Sequence, residues 1–239
     1  MKPSPSDTGL GYLVKQERVA VAGGAALNIR SLLDKQQFHD PHGLALALGV
    51  SSATWPLFGL VWPSAQKMAD LMQTWQLQGL RILEIGCGLG LASLVIHRRL
   101  GNVTASDVHP YVQRFLQANL RLNDLPAMAY AQGDWGGHNT TLGQFDLIIG
   151  SDVLYERNHP EQLAGFIQRH AADHSQVLII DPNRGQRAAF HITCGGCRVL
   201  RHVLGPDLRL FLCADGDRES VHQCAGPDLG SVDAVGDAR

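Results

Sequence analysis

Short apolar runs alternate with amphipathic stretches along the middle of this chain. Arg81-Ile-Leu-Glu-Ile85 reads as a buried strand, and after Gly86-Cys-Gly88-Leu-Gly90 the positions Leu91, Leu94 and Val95 recur at helical spacing until Gly101 stops the helix. Residues 103–106 form a second strand ending in Asp107. A helix over 110–122 follows, with Val112, Phe115, Leu116 and Leu120 on one face, and Asn123-Asp-Leu-Pro126 closes it. Residues 128–130 predict a third strand, 145–150 a fourth, 160–170 a helix through Leu163, Phe166 and Ile167, and 177–180 a fifth strand. Residues 198–203 and 208–213, joined by Leu-Gly-Pro-Asp, predict a hairpin that brings an antiparallel strand into the sheet. Strand runs without polar alternation belong to sheets covered on both faces, so the order predicts an α/β, doubly wound, Rossmann-like domain.

Before this core, residues 64–75 predict an amphipathic helix through Ala65, Met68, Leu71, Met72 and Trp75, entered through Pro63. Further upstream, residues 19–22 and 27–29 flanking a glycine pair predict a small hairpin, with helical segments over 32–38 and 44–48. From Gly216 the chain is rich in Asp, Gly and Ser without periodicity. The expected organisation is an N-terminal cap segment over 1–52 above the active-site face, a core over 53–215 and a flexible tail over 216–239.

Composition narrows the function classes. The 239 residues, 45% hydrophobic and 18% charged, suffice for one full core. A net charge of -2 without a Lys/Arg run gives no electrostatic footprint for nucleic acid or an acidic membrane, and no stretch has a signal-peptide core or the length of a membrane span. The expectation is a soluble cytoplasmic protein of open oligomeric state. The odd number of cysteines, five, argues for reduced thiols. Cys194-Gly-Gly-Cys197 lacks a second ligand pair, so it reads as a glycine turn and no metal site is expected.

The glycine spacing points to a cofactor. A dinucleotide fingerprint needs its third glycine at position 91, where Leu91 stands; here it comes one residue early, at Gly90. Asp107, about 20 residues beyond the first glycine, suits a carboxylate accepting from both hydroxyls of a ribose, a role compatible with capping the next helix. The Glu84-x-Gly86-x-Gly88-x-Gly90 stretch resembles motif I of class I S-adenosylmethionine-dependent methyltransferases, whose loop wraps the methionine part of the cofactor. The resemblance implies a seven-strand sheet of order 3-2-1-4-5-7-6 with an antiparallel last strand. It also implies that Asp134 and Trp135, after the third strand, hold adenine through its amine and its ring.

After the fourth strand, Asp152-x-x-Tyr155 lacks the Asn/Asp-Pro-Pro-Tyr pattern of amino methyltransferases and resembles methyltransferase family sixteen, a largely protein-lysine-methylating group. Phe58-Gly-Leu-Val-Trp62-Pro is similar to that family's lead-in to the first core helix, with the Trp62 ring near the cofactor. Asp181-Pro-Asn-Arg184 is similar to an element of its electron-transfer-flavoprotein lysine methyltransferases. The implied activity is protein-lysine N-methylation. A lysine amine with an ordinary pKa near ~10.4 attacks only when neutral, so Asp152 and Tyr155 would hold its hydrogens while Trp62 and Tyr155 face the cationic centres. Trp55, Trp62 and Phe58 read equally as a peptide platform or as core, and Asp152 as a cap of the next helix. A small-molecule amine or other nucleophile as substrate, and an inactive cofactor-binding interaction protein, remain alternatives.

Overall fold

The computed structural model describes residues 11–137, 142–155 and 159–182 and the backbone of 198–203 and 208–214. Its centre is a parallel sheet of five strands: β3 (Arg81–Ile85), β4 (Asn102–Asp107), β5 (Ala129–Gln132), β6 (Phe145–Ser151) and β7 (Ala171–Pro182), in the order β5-β4-β3-β6-β7. The backbones of β8 (Arg198–Val203) and β9 (Leu208–Ala214) extend this edge, β9 antiparallel to β7 and β8 antiparallel to β9. The proposed tail from 216, Arg184, Cys194 and Cys197 lie outside the described residues.

Side-chain alternation along the strands divides the core into two layers. Ile82, Leu147, Ile149, Leu178 and Ile180 point to one face, where they meet α2 (Pro63–Thr74), α3 (Leu91–Arg98) and α4 (Val112–Leu122). Leu83, Ile85, Ile148, Val177 and Ile179 point to the other, against Leu163, Phe166 and Ile167 of α5 (His159–His170). Such residues on successive positions are buried on both sides, which is why the strands read as unbroken apolar runs. Among the described residues no helix is long and apolar enough to cross a membrane.

The segment before the core departs from expectation in two places. The hairpin pairs β1 (Val14–Val19) with β2 (Leu27–Leu32), so its first strand lies upstream of the expected 19–22. β1 alternates exposed polar with half-buried positions and reads weakly from sequence; Lys15–Glu17 and Glu17–Ser31 contacts lie on the face that registers with the buried Ile29 and Ser31. No helix forms over 32–38. Ser31 and Leu32 continue β2, Leu33 donates its N–H to the Leu13 carbonyl, and the Asp34 side chain accepts from the Gln36 N–H while its carbonyl accepts from the Gln37 side chain. The helix expected over 44–48 is present as the short α1 (Leu44–Ala47). β2 is fastened to α4 through its edge N–H groups: Asn28 donates to Asn123 Oδ1 and Arg30 to Asn119 Oδ1.

Glu84 fastens β3 to α3. Only 1% exposed, its carboxyl accepts the Ser93 backbone N–H at 2.8 Å and the Ser93 hydroxyl, tying the strand to the first turn of the helix across the glycine loop. Burial pushes this carboxyl up to about 7 from 4.5, against the lowering effect of the Ser93 bonds and with help from the neighbouring charge of Asp107. The folded protein thus keeps a proton that the unfolded chain releases as pH rises from about 4.5 to about 7, so Glu84 makes stability fall across that window. Glu84→Gln keeps an acceptor for Ser93 and removes the titration. Urea midpoints measured from pH 4.5 to 7.5 should decline more in the wild type than in this variant; parallel profiles would contradict the assignment.

Candidate active site

The glycine loop between β3 and α3 is shaped by its own backbone. Gly86, Gly88 and Gly90 have φ of 56°, 51° and 73°, the left-handed region that L-residues avoid. Close approach adds to this: a Cβ on Gly88 would lie 2.9 Å from the Phe58 carbonyl oxygen, and one on Gly90 2.6 Å from Leu116 Cδ1. Cys87 donates its N–H to the Ser106 carbonyl at 3.0 Å, seating the loop on the end of β4, and its thiol is buried and pushed far up by desolvation. Asn119, fully buried on α4, donates its side-chain N–H to the Leu89 carbonyl, so the loop also leans on the helix that holds β2.

Asp107 ends β4 beside this loop. Its Oδ2 accepts the Gly88 N–H at 2.9 Å and its Oδ1 the His109 N–H at 2.8 Å. A carboxylate has about four lone-pair directions, so two bonds leave acceptor capacity on each oxygen. Burial raises its pKa, and the N–H groups of His109, Gly88 and Val108 oppose that rise. The backbone carbonyl of the same residue accepts from the Gly133 N–H at 3.0 Å and the Tyr130 hydroxyl at 3.2 Å, which draws the end of β5 to the end of β4.

These strand ends open on a cavity of about 350 Å³, within the range of roughly 300–1,000 Å³ usual for small-ligand sites. Trp62, Gly86, Gly88, Asp107, Asp134, Trp135, Asp152 and Tyr155 all line it. Glu84 and Gly90 do not: Glu84 lies beneath the loop on Ser93, and Gly90 starts α3, its carbonyl accepting the Leu94 N–H. Asp134 is exposed and accepts the Gly136 N–H at 2.9 Å. Trp135 is half-buried, and its carbonyl accepts from Arg169 of α5 at 3.0 Å. Trp62 donates its indole N–H to the Leu57 carbonyl at 2.8 Å, which fixes the ring at the cavity wall.

On the opposite side, Asp152 adopts φ 59° at the end of β6 and donates its N–H to the Ile180 carbonyl of β7 at 2.8 Å. Residues 153–155, which follow Asp152, are not helical, so Asp152 does not cap a helix. Tyr155 is 40% exposed at the cavity mouth. Asp181, at the end of β7, is buried. Among the described residues no three His, Cys, Asp or Glu side chains gather as a metal cluster.

Sequence reasoning missed the aromatic joint over the site. Phe58, in the 3-10 turn Trp55–Gly59, stacks on His109 at 3.9 Å between centroids and 22° between planes, and both line the cavity. Trp55 behind them is wholly buried and is core, whereas Trp62 is cavity wall. Desolvation lowers His109 to about 3, against the opposing charge of Asp40, so this imidazole is neutral; its Nδ1 accepts the Tyr111 N–H at 3.2 Å. The only sequence signal was the Asp-Val-His-Pro run itself, which a cap reading absorbs. Leu48, Gly49 and Val50 of the N-terminal segment also reach the cavity, as do His159 and Gln162 of α5.

The chain resembles proteins of known activity. It is 28% identical over 152 residues to the electron transfer flavoprotein beta subunit lysine methyltransferase of Xenopus laevis, covering 62% of this chain and 58% of that protein. It is 30% identical over 141 residues to the calmodulin-lysine N-methyltransferase of Arabidopsis thaliana, covering 53% of this chain and 46% of that protein. The chain therefore spans about half the length of these relatives. Among solved structures, the Thermus thermophilus 16S rRNA N2 G1207 methyltransferase in complex with AdoMet and guanosine superposes with a TM-score of 0.61 at 14% identity, over 85% of this chain and 51% of that one, a likeness of fold. The lysine methyltransferase family model matches residues 53–192, from the 3-10 turn through the whole parallel sheet, and the chain belongs to that family.

Proposed function

We propose that this protein is an S-adenosylmethionine-dependent methyltransferase that methylates the side-chain amine of lysine in a protein substrate. The observation that carries the reading is the convergence on one cavity of the glycine loop, Asp107, the Asp134-Trp135 pair and the Asp152/Tyr155 pair. The residues fit the cofactor's chemistry. Asp107 retains acceptor capacity for two ribose hydroxyls, Trp135 offers a flat apolar face and Asp134 an exposed acceptor for adenine, and the loop at Gly86 and Gly88 brings backbone close to the methionine end. When bound, the cofactor supplies a methyl group activated by its sulfonium centre.

The remaining work falls to the chain. A lysine ammonium must lose its proton and its water before it attacks. The half-buried Asp152 accepts the amine's hydrogens and aims its lone pair, and Tyr155 at the mouth offers hydroxyl and ring to the incoming side chain. The apolar wall of Leu57, Phe58 and Leu60 keeps water from the reacting atoms. In this reading residues 53–215 form the class I core, the β8/β9 hairpin completes its seven-strand sheet with an antiparallel last strand, and residues before 53 cap the site.

Incubation with methyl-tritiated S-adenosylmethionine and cell extract should put label into protein, recovered as methyllysine after hydrolysis. Label found only in small molecules would contradict a protein substrate. Asp152→Ala and Tyr155→Phe should lower the single-turnover rate, by on the order of 100-fold for Asp152→Ala, while cofactor affinity changes little. A folded Asp152→Ala enzyme with the wild-type rate would remove Asp152 from the acceptor site.

A further inference from the structure

We infer that His159, the first residue of α5, is a positioning residue: it braces the 152–155 turn against the wall carrying Trp135 and so keeps the acceptor side of the cavity in register with the cofactor side. The inference rests on the methyltransferase reading above. The imidazole lines the cavity, and its Nδ1 lies 3.0 Å from the Val153 carbonyl oxygen. A carbonyl only accepts, so Nδ1 carries the proton and donates it. The ring stands edge-on between two aromatics, 4.5 Å from Tyr155 at 78° and 5.1 Å from Trp135 at 79°, the T-shaped arrangement that aromatic quadrupoles favour.

One side chain thereby touches both halves of the site. Trp135 follows β5 on the adenine side; Val153 and Tyr155 follow β6 on the acceptor side. Val153, held by the bond to His159, packs in turn on the glycine loop: a Cβ on Gly86 would meet Val153 Cγ1 at 2.9 Å and Trp135 Cζ2 at 3.6 Å. The turn begins at Asp152 in the left-handed conformation, φ 59°, a region that aspartate enters more readily than most L-residues. The Asp152 N–H bond to Ile180 secures the start of the turn, and the His159 bond secures its middle. Displacing the Val153 carbonyl would shift Asp152 and Tyr155 together, and small displacements of positioned groups are costly to rate.

Two substitutions separate the hydrogen bond from the ring. His159→Asn keeps an N–H donor near the place of Nδ1 and loses the edge-on ring, whereas His159→Phe keeps the ring and loses the donor. In hydrogen exchange of the protein without cofactor or acceptor, amides 152–155 should exchange about tenfold faster in His159→Phe, the scale of one lost hydrogen bond, and near the wild-type rate in His159→Asn. The single-turnover rate at saturating cofactor should follow the same order, falling about tenfold in His159→Phe with cofactor affinity within about threefold of wild type. Wild-type exchange in His159→Phe, or equal impairment of the two variants, would overturn the brace. The exchange measurement needs no acceptor, so if the wild type labels no lysine, the substrate reading falls and the brace is still decided.

Discussion

One residue joins three of the segments that line the cavity. The Asp107 carboxylate holds the glycine loop through the Gly88 N–H and the start of the next connection through the His109 N–H, and its carbonyl holds the end of β5 through Gly133 and Tyr130. A bond from a backbone N–H to a charged acceptor is stronger than a neutral one, and burial removes the competing water. The same carboxylate keeps acceptor capacity toward the cavity, so the group that shapes the loop is also available to a ligand. Around it His109 is neutral, and burial raises the carboxyls of Asp107 itself and of Glu84, the latter to about 7, and drives up the Cys87 thiol.

The parallel sheet was legible because its strands are apolar on consecutive residues, as at Ile82-Leu83 and Leu147-Ile148-Ile149, a pattern that burial on both faces requires. The glycine loop was legible for an equally local reason, since three left-handed residues in five demand glycine. Asp107 was found by its distance from the loop, and its joining role was not, because that depends on backbone groups at Gly133 and His109 that carry no sequence signal.

The N-terminal segment was read less well, again for physical reasons. β1 is an edge strand with few buried positions, and 32–38 has helical spacing whose backbone bonds go to Leu13 and to the Asp34 and Gln37 side chains instead. The sequence places Glu84 in the motif, and its bonds to Ser93, which fasten β3 to α3 beneath the loop, carry no sequence signal. Phe58 and His109 are 51 positions apart, so their stacking is a tertiary event; of the early aromatics, Trp55 and Phe58 are buried in the core, and Phe58 and Trp62 line the cavity. Asp152 could cap a helix on sequence grounds until residues 153–155 are seen to be non-helical.

The most direct test of this account is calorimetric titration of S-adenosylhomocysteine into the wild type and into Asp107→Asn, each first shown to be folded by circular dichroism. Asparagine keeps the size of the side chain but replaces one acceptor oxygen with a donor, which opposes either Gly88 or His109 and weakens acceptance from a ribose. The account predicts binding weaker by about 10- to 100-fold, the equivalent of one to two hydrogen bonds to a charged group. Equal affinity in the two folded proteins would contradict it.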